Sequence, residues 1–382
     1  MAPSTSTTDL KALNDLITST QTILSQFKAT LSTSNTNTDQ TNQTTQKPIP
    51  TPPNPLEIFS DASRLLKAHV TKLSLLVLNK PFTPTAVTKV LRDLSTTCLP
   101  ALIAGVQICS QEKRTYGALL AREAAARTRR VFVELEGLLG EVRGVAAAAA
   151  DGETSSSLAG GRNGRDSLSA TGVVWESCDS LAELKILGVS GLAVQKAEEW
   201  RETVRDAAEE LQEWADGGDL ESEGQDALFD SGDEGVEGDE NDSLNGIFNA
   251  ANSLPADREE LRELVGRAVE KLKKVEILYK ALVKRRLKSY KSVAAAAAVG
   301  EGEKKSSAEY LDEILDGLKA LPDSVDDMVS TFYDLEEEAA KVALDECLEK
   351  ARGIAVLACL NYDGEEDEFS TWSKKWIEAV VG

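Results

Sequence analysis

Glu260-Leu-Arg-Glu-Leu-Val-Gly-Arg-Ala-Val-Glu-Lys-Leu-Lys-Lys-Val-Glu-Ile-Leu-Tyr-Lys-Ala-Leu282 is the stretch that decides the fold. Leu261, Val265, Ala268, Leu272, Val275, Tyr279 and Leu282 recur at alternating steps of four and three. That period places the seven apolar side chains on one stripe of an α-helix, and such a stripe must be buried against another element. The spacing predicts a helix capped by Asp257 and reaching about Val293. Its other positions are strongly basic, with twelve Lys/Arg against five Glu between Arg258 and Lys291. A zipper partner could cover the stripe. Helices of the same chain could cover it equally well, and their abundance favours the second arrangement.

The rest of the chain supplies those helices. Asp9–Leu31, Pro55–Asn79, a helix starting at Thr83-Pro84 and Tyr116–Gly144 all carry apolar residues at helical spacing. Val173–Leu187, Leu192–Ala215, Ser307–Leu321, Asp323 to about Cys359 and a short helix around Trp372 and Trp376 follow. Six of the eleven Pro fall in the first 55 residues, so the remaining chain tolerates long helices. Alternating β-branched patterns are nearly absent. The expected fold is all-α: two successive antiparallel, up-and-down helical bundles joined by a disordered acidic linker. The expected boundaries are 1–215 for the first bundle, with a disordered insert at 32–54 and a loop at 146–171. A linker at 216–256 and a second bundle at 257–382 complete the division.

Charge sharpens this division. The net charge is −22, yet Asp216–Asp242 alone contributes −12 and Asn361–Gly382 contributes −4, leaving −6 elsewhere. The balance argues against nucleic-acid binding through bulk electrostatics and against docking on anionic lipid. No uncharged apolar run approaches a membrane span, and the first residues lack a signal-peptide pattern. The five cysteines (Cys98, Cys109, Cys178, Cys347, Cys359) form no close pair, which predicts a reducing compartment.

Chemistry-bearing patterns are few. The single histidine, His69, lies near the packed face of its helix and cannot complete a catalytic triad or a Cys/His zinc set. Asp219-x-Glu221-x-Glu223-Gly224-x5-Asp230 has the spacing of a calcium loop. It uses Glu where Asp or Asn is preferred, however, and it ends on Asp; weak counterion binding by the tract explains it as well. No catalytic residue, cofactor or metal is therefore expected. Arg-x-Leu docking patterns occur at Arg64, Arg92, Arg262 and Arg285. Ser231-Gly-Asp-Glu234 suits an acid-directed kinase and makes Ser231 a candidate phosphosite. The surfaces expected to meet a partner are Arg122, Arg127 and Arg130 on the fourth helix, and Arg285, Arg286 and Leu287 at the basic helix end.

Several blocks, taken in order, resemble the N-terminal region of the cyclin-D-binding protein family, particularly its fungal members. They are Lys80-Pro-Phe-Thr-Pro84, Leu91-Arg-Asp-Leu94, Cys98-Leu-Pro-Ala-Leu102, Tyr116-Gly117 and Arg129-Arg-Val-Phe-Val-Glu-Leu135. Ser324-Val-Asp-Asp-Met328 with Tyr333 is similar to a second family block, with Asp334 where that block has Pro. The resemblance implies binding of a D-type cyclin, negative regulation of cell-cycle entry and passage between cytoplasm and nucleus. It also implies a helix-loop-helix/zipper character without a DNA-contacting basic region, and a bundle of the vinculin/talin type. The expected function is a non-enzymatic protein-interaction module in cell-cycle regulation. The alternatives are a cytoskeletal or adhesion-type helical-bundle scaffold and an HLH-like transcription regulator that dimerises through the 261–282 stripe.

Overall fold

The computed structural model describes residues 7–33, 53–79, 81–150, 162–217, 254–255, 257–291 and 306–381. The helices are α1 (Thr7–Thr33), α2 (Pro55–Leu78), α3 (Pro84–Gln111), α4 (Lys113–Ala150) and α5 (Arg162–Asp216), then α6 (Glu259–Leu282), α7 (Ser307–Tyr333), α8 (Glu337–Leu357) and α9 (Glu368–Val381). A single π turn, Val283–Leu287, continues α6. Among the described residues there is no strand, as the all-α reading expects. The insert at 34–52 and the tract at 218–253 lie outside the described residues.

The chain forms two compact units: Met1–Leu192 with Lys291–Glu309, and Ala193–Tyr290 with Tyr310–Gly382. The division falls inside α5, upstream of the boundary expected at 216. In the first unit, successive helices alternate in direction. Phe59 of α2 meets Gly105 of α3. Thr18 and Lys28 of α1 pair with Arg143 and Glu136 of α4. Glu57, Lys67 and Ser74 of α2 meet Lys185, Asp179 and Thr171 of α5. The core is aliphatic and aromatic: Leu13, Ile17, Phe59, Leu66, Leu91, Leu102, Phe132 and Leu135 are all buried.

The second unit is built around α6, whose seven-residue stripe is wholly buried. Trp214 near the end of α5 stacks edge-on against Tyr333 of α7, with ring centroids 5.1 Å apart. Tyr279 of α6 reaches α7, Gly317 of α7 lies against Ile354 of α8, and Lys274 of α6 reaches the end of α9. These pairings again alternate in direction along the chain, which is the expected up-and-down order. They also bury within one chain the stripe that a zipper would need exposed.

Several element boundaries differ from expectation. The expected loop at 146–171 is helical up to Ala150 and again from Arg162, because the run Ala146–Ala150 is an intrinsically strong helix former. The helices expected at 173–187 and 192–215 are the two arms of α5, separated as expected by a kink at Gly188, whose φ of 60° suits glycine. Asp257 does not cap α6; Arg258 occupies that position without a side-chain cap bond. Pro322 was expected to separate two helices, but α7 runs through it to Tyr333. A proline at 322 cannot donate to the carbonyl of Leu318, four residues earlier. That carbonyl instead accepts a 2.6 Å bond from the Tyr279 hydroxyl. The helix ends later, at Leu335, which takes a left-handed φ of 59°.

Close packing yields a paired test. A Cβ on Gly105 would lie 2.6 Å from Cε1 of the buried Phe59 ring, whereas one on Gly140 would meet nothing within 4 Å. Gly105→Ala is expected to lower unfolding free energy by about 1–3 kcal/mol through overpacking. Gly140→Ala, in an open helical position, is expected to raise it by about 0.5–1 kcal/mol. Urea titration of both variants checks the opposite signs.

Candidate functional site

The first unit carries a cleft of about 930 Å³ between α2 and the first half of α5. One wall presents Ser60, Ser63, Arg64 and Lys67 at helical spacing on α2. The other presents Glu176, Asp179, Glu183 and Ile186 on α5. Lys67 spans the walls to Asp179 at 2.6 Å, and Lys185 pairs with Glu57 at the other end. Such exposed pairs fix geometry while contributing no more than about 1 kcal/mol each. Ser63 is buried, yet its hydroxyl has no hydrogen-bond partner. At the rim Ile186 is 86% exposed, a large apolar side chain held in water. Leu65 and Trp175 are exposed on the same two helices.

Two of the expected site residues stand behind this cleft and not on a bare face. Arg127 donates through Nε to Glu123 at 2.8 Å and through a terminal nitrogen to the Ser180 carbonyl at 2.6 Å, with Glu183 at 3.4 Å. Arg130 reaches Glu176 at 3.3 Å. Both arginines therefore position the α5 wall, whereas Arg122 lies exposed on α4. The run of arginines was legible as a helix face; its docking against α5 was not, because no motif marks residues 176–183 as its partner.

The second expected surface is corrected by the structure. Leu287 is fully buried, and the Arg286 side chain is 1% exposed. Arg286 donates to the carbonyls of Ala358 and Cys359 at 2.8 and 3.2 Å. It also grips both carboxylate oxygens of Asp367 at 2.7 and 2.9 Å. Its guanidinium carbon lies 4.6 Å from the centre of the Phe369 ring. The side chain is satisfied internally, so it offers nothing to a partner. Arg285 stays half-exposed and pairs with Glu368. The leucines of all four Arg-x-Leu patterns (Leu66, Leu94, Leu264, Leu287) are buried. Ser231 lies outside the described residues.

Titration follows from these surroundings. Arg286, with further bonds from Ser370, holds the Asp367 carboxyl at about 2. Burial raises the Cys98 thiol and pushes Cys109 and Cys178 up to about 12 and Cys347 to about 11. Thiols held protonated at neutral pH are poor nucleophiles. Among the described residues no group of three His, Cys, Asp or Glu could hold a metal ion. No helix among them is long and apolar enough to cross a membrane.

Removing the guanidinium strands Asp367 and the helix-end carbonyls of Ala358 and Cys359. Arg286→Leu is expected to cost about 3 kcal/mol, as for breaking one side of a buried pair. The carboxyl's depressed folded value means that its stabilisation is present above the unfolded value, near 4, and is lost as pH falls towards about 2. Acid titration of stability over that window should show a steeper loss for the wild type than for Arg286→Leu.

The blocks between Lys80 and Leu135 lie in a region shared with known proteins. An uncharacterized protein of Schizosaccharomyces pombe is 27% identical over 338 residues, covering 87% of each chain. No solved structure matches this chain. The family model described as Grap2 and cyclin-D-interacting, N-terminal, matches residues 59–217, a span that includes both walls of the cleft and Arg122, Arg127 and Arg130. Over those residues this chain is similar to the N-terminal region of the Grap2 and cyclin-D-interacting family, as the order of its sequence blocks implied.

Proposed function

We propose that the protein is a non-enzymatic interaction module that binds a cyclin-type partner through the α2/α5 cleft and regulates the cell cycle. One observation carries this reading: the cyclin-D-interacting family match spans α2 to α5, and the open cleft of the first unit lies between those two helices. The cleft has the features of a protein-docking surface. Ile186 provides an exposed apolar anchor, and charges of both signs line the walls.

The non-enzymatic character is supported by the chemistry of the side chains. The four fully buried cysteines are held protonated, and Nδ1 of the chain's single histidine, His69, is buried without a hydrogen-bond partner among the described residues. Cytoplasm and nucleus are the compartments in which such a partner is met, and the free, unpaired cysteines suit both.

Capture of purified D-type cyclin by the immobilised full-length chain tests the reading. Binding is expected, and Ile186→Glu is expected to weaken it at least tenfold without changing the melting temperature. Failure of the wild type to retain cyclin would overturn the partner. Undiminished binding by Ile186→Glu would overturn the cleft.

A further inference from the structure

The second unit has its own groove, of about 530 Å³, between α6 and α8 and ending at Val380 of α9. Leu264, Leu344 and Leu348 form its apolar floor. Arg267, Lys271, Lys341 and Arg352 stand over Asp345 and Glu349 around it, so the rim is net positive. Some of these cations have partners: Lys271 donates to the Val380 carbonyl at 2.5 Å, Lys341 pairs with Glu337 and Glu338, and Arg352 pairs with Glu349. Arg267 is exposed on the groove edge.

The chain leaves and re-enters the second unit near the start of α6. Leu254 donates its backbone N–H to the Trp214 carbonyl at 3.1 Å. Arg262 donates to the carbonyls of both Ala215 and Leu254. Arg262 thus holds Ala215 and Leu254, which flank residues 218–253, close together. Arg267 and Lys271 follow Arg262 by five and nine residues, or about 8 and 14 Å along the helix. The tract carries twelve acidic and no basic residues from Asp216 to Asp242, and within it Asp226-Ala-Leu-Phe-Asp230 sets two large apolar side chains between two carboxylates. From Gly217 to Leu228 the chain can span up to about 35–40 Å, ample for the distance.

We infer that the groove's occupant is the chain's own acidic tract, with Leu228 and Phe229 on the apolar floor and the flanking carboxylates against Arg267, Lys341 and Arg352. The inference is independent of the cyclin reading, which concerns the first unit. It also accounts for a cationic, apolar-floored groove on a chain of net charge −22. A tethered segment acts at an effective concentration of about a millimolar, so even weak docking would exclude an acidic competitor.

The test uses a fluorescently labelled synthetic peptide of residues 219–230 and two full-length chains. One is the wild type; in the other, residues 218–253 are replaced by an uncharged Gly/Ser segment of equal length. The replaced chain is expected to bind the peptide saturably, at least tenfold more tightly than the wild type. That binding should weaken at high salt and be lost in Arg267→Glu/Arg352→Glu made in the replaced chain. Melting of that variant close to its parent confirms that the loss is local. Equal binding to the two chains, which would mark the groove as open to an acidic partner from outside, overturns the inference. Absence of binding to the replaced chain overturns it as well.

Discussion

One basic helix places its cations on the C-terminal carbonyls of the three helices it joins. Arg262 reaches the end of α5, Arg286 the end of α8, and Lys271 and Lys274 the end of α9 at Val380 and Ala379. The last carbonyls of a helix have no intrahelical donor and carry the negative end of its dipole. Each such contact stabilises by about 0.3–1 kcal/mol at the surface and up to about 2 kcal/mol where partly buried. Arg286 goes furthest. Burying its charge is costly unless every donor is met. Two carbonyls, a bidentate carboxylate and an aromatic face meet it. Asp367 in turn caps α9, accepting from the N–H groups of Phe369 and Ser370, while Ser370 Oγ accepts from Asp367 N–H. The end of α6, the end of α8 and the start of α9 are thus one hydrogen-bonded junction.

This junction changes the meaning of the basic residues. A run such as Lys284-Arg-Arg-Leu-Lys288 reads in sequence as a surface for acidic partners. Its central arginine is instead the most enclosed charge of the unit, and its leucine is core. The remaining positive groove lies elsewhere, along Arg267 and Arg352.

Much of the fold was legible because amphipathic spacing is a strong signal in long helices. The α6 stripe, the start at Thr83-Pro84 and the helical content of both halves follow from it. What was not legible depends on contacts between distant residues. Pro322 does not end α7, since Tyr279, 43 residues earlier, takes over the carbonyl that the proline leaves unpaired. The candidate cleft was half legible. Arg127 and Arg130 were singled out, but Ser63, Lys67, Asp179 and Ile186 belong to no motif and come together only when α2 packs beside α5.

The central claim is that the 261–282 stripe and its flanking cations build the protein's own second unit and are not held for a partner. Native-state hydrogen exchange of the full-length chain, followed across a wide range of protein concentration, tests it directly. Amides from Val265 to Leu287 are expected to exchange only through global unfolding, with protection independent of concentration. Rapid exchange in the dilute protein that slows as concentration rises would show that a second chain covers the stripe, and would contradict it.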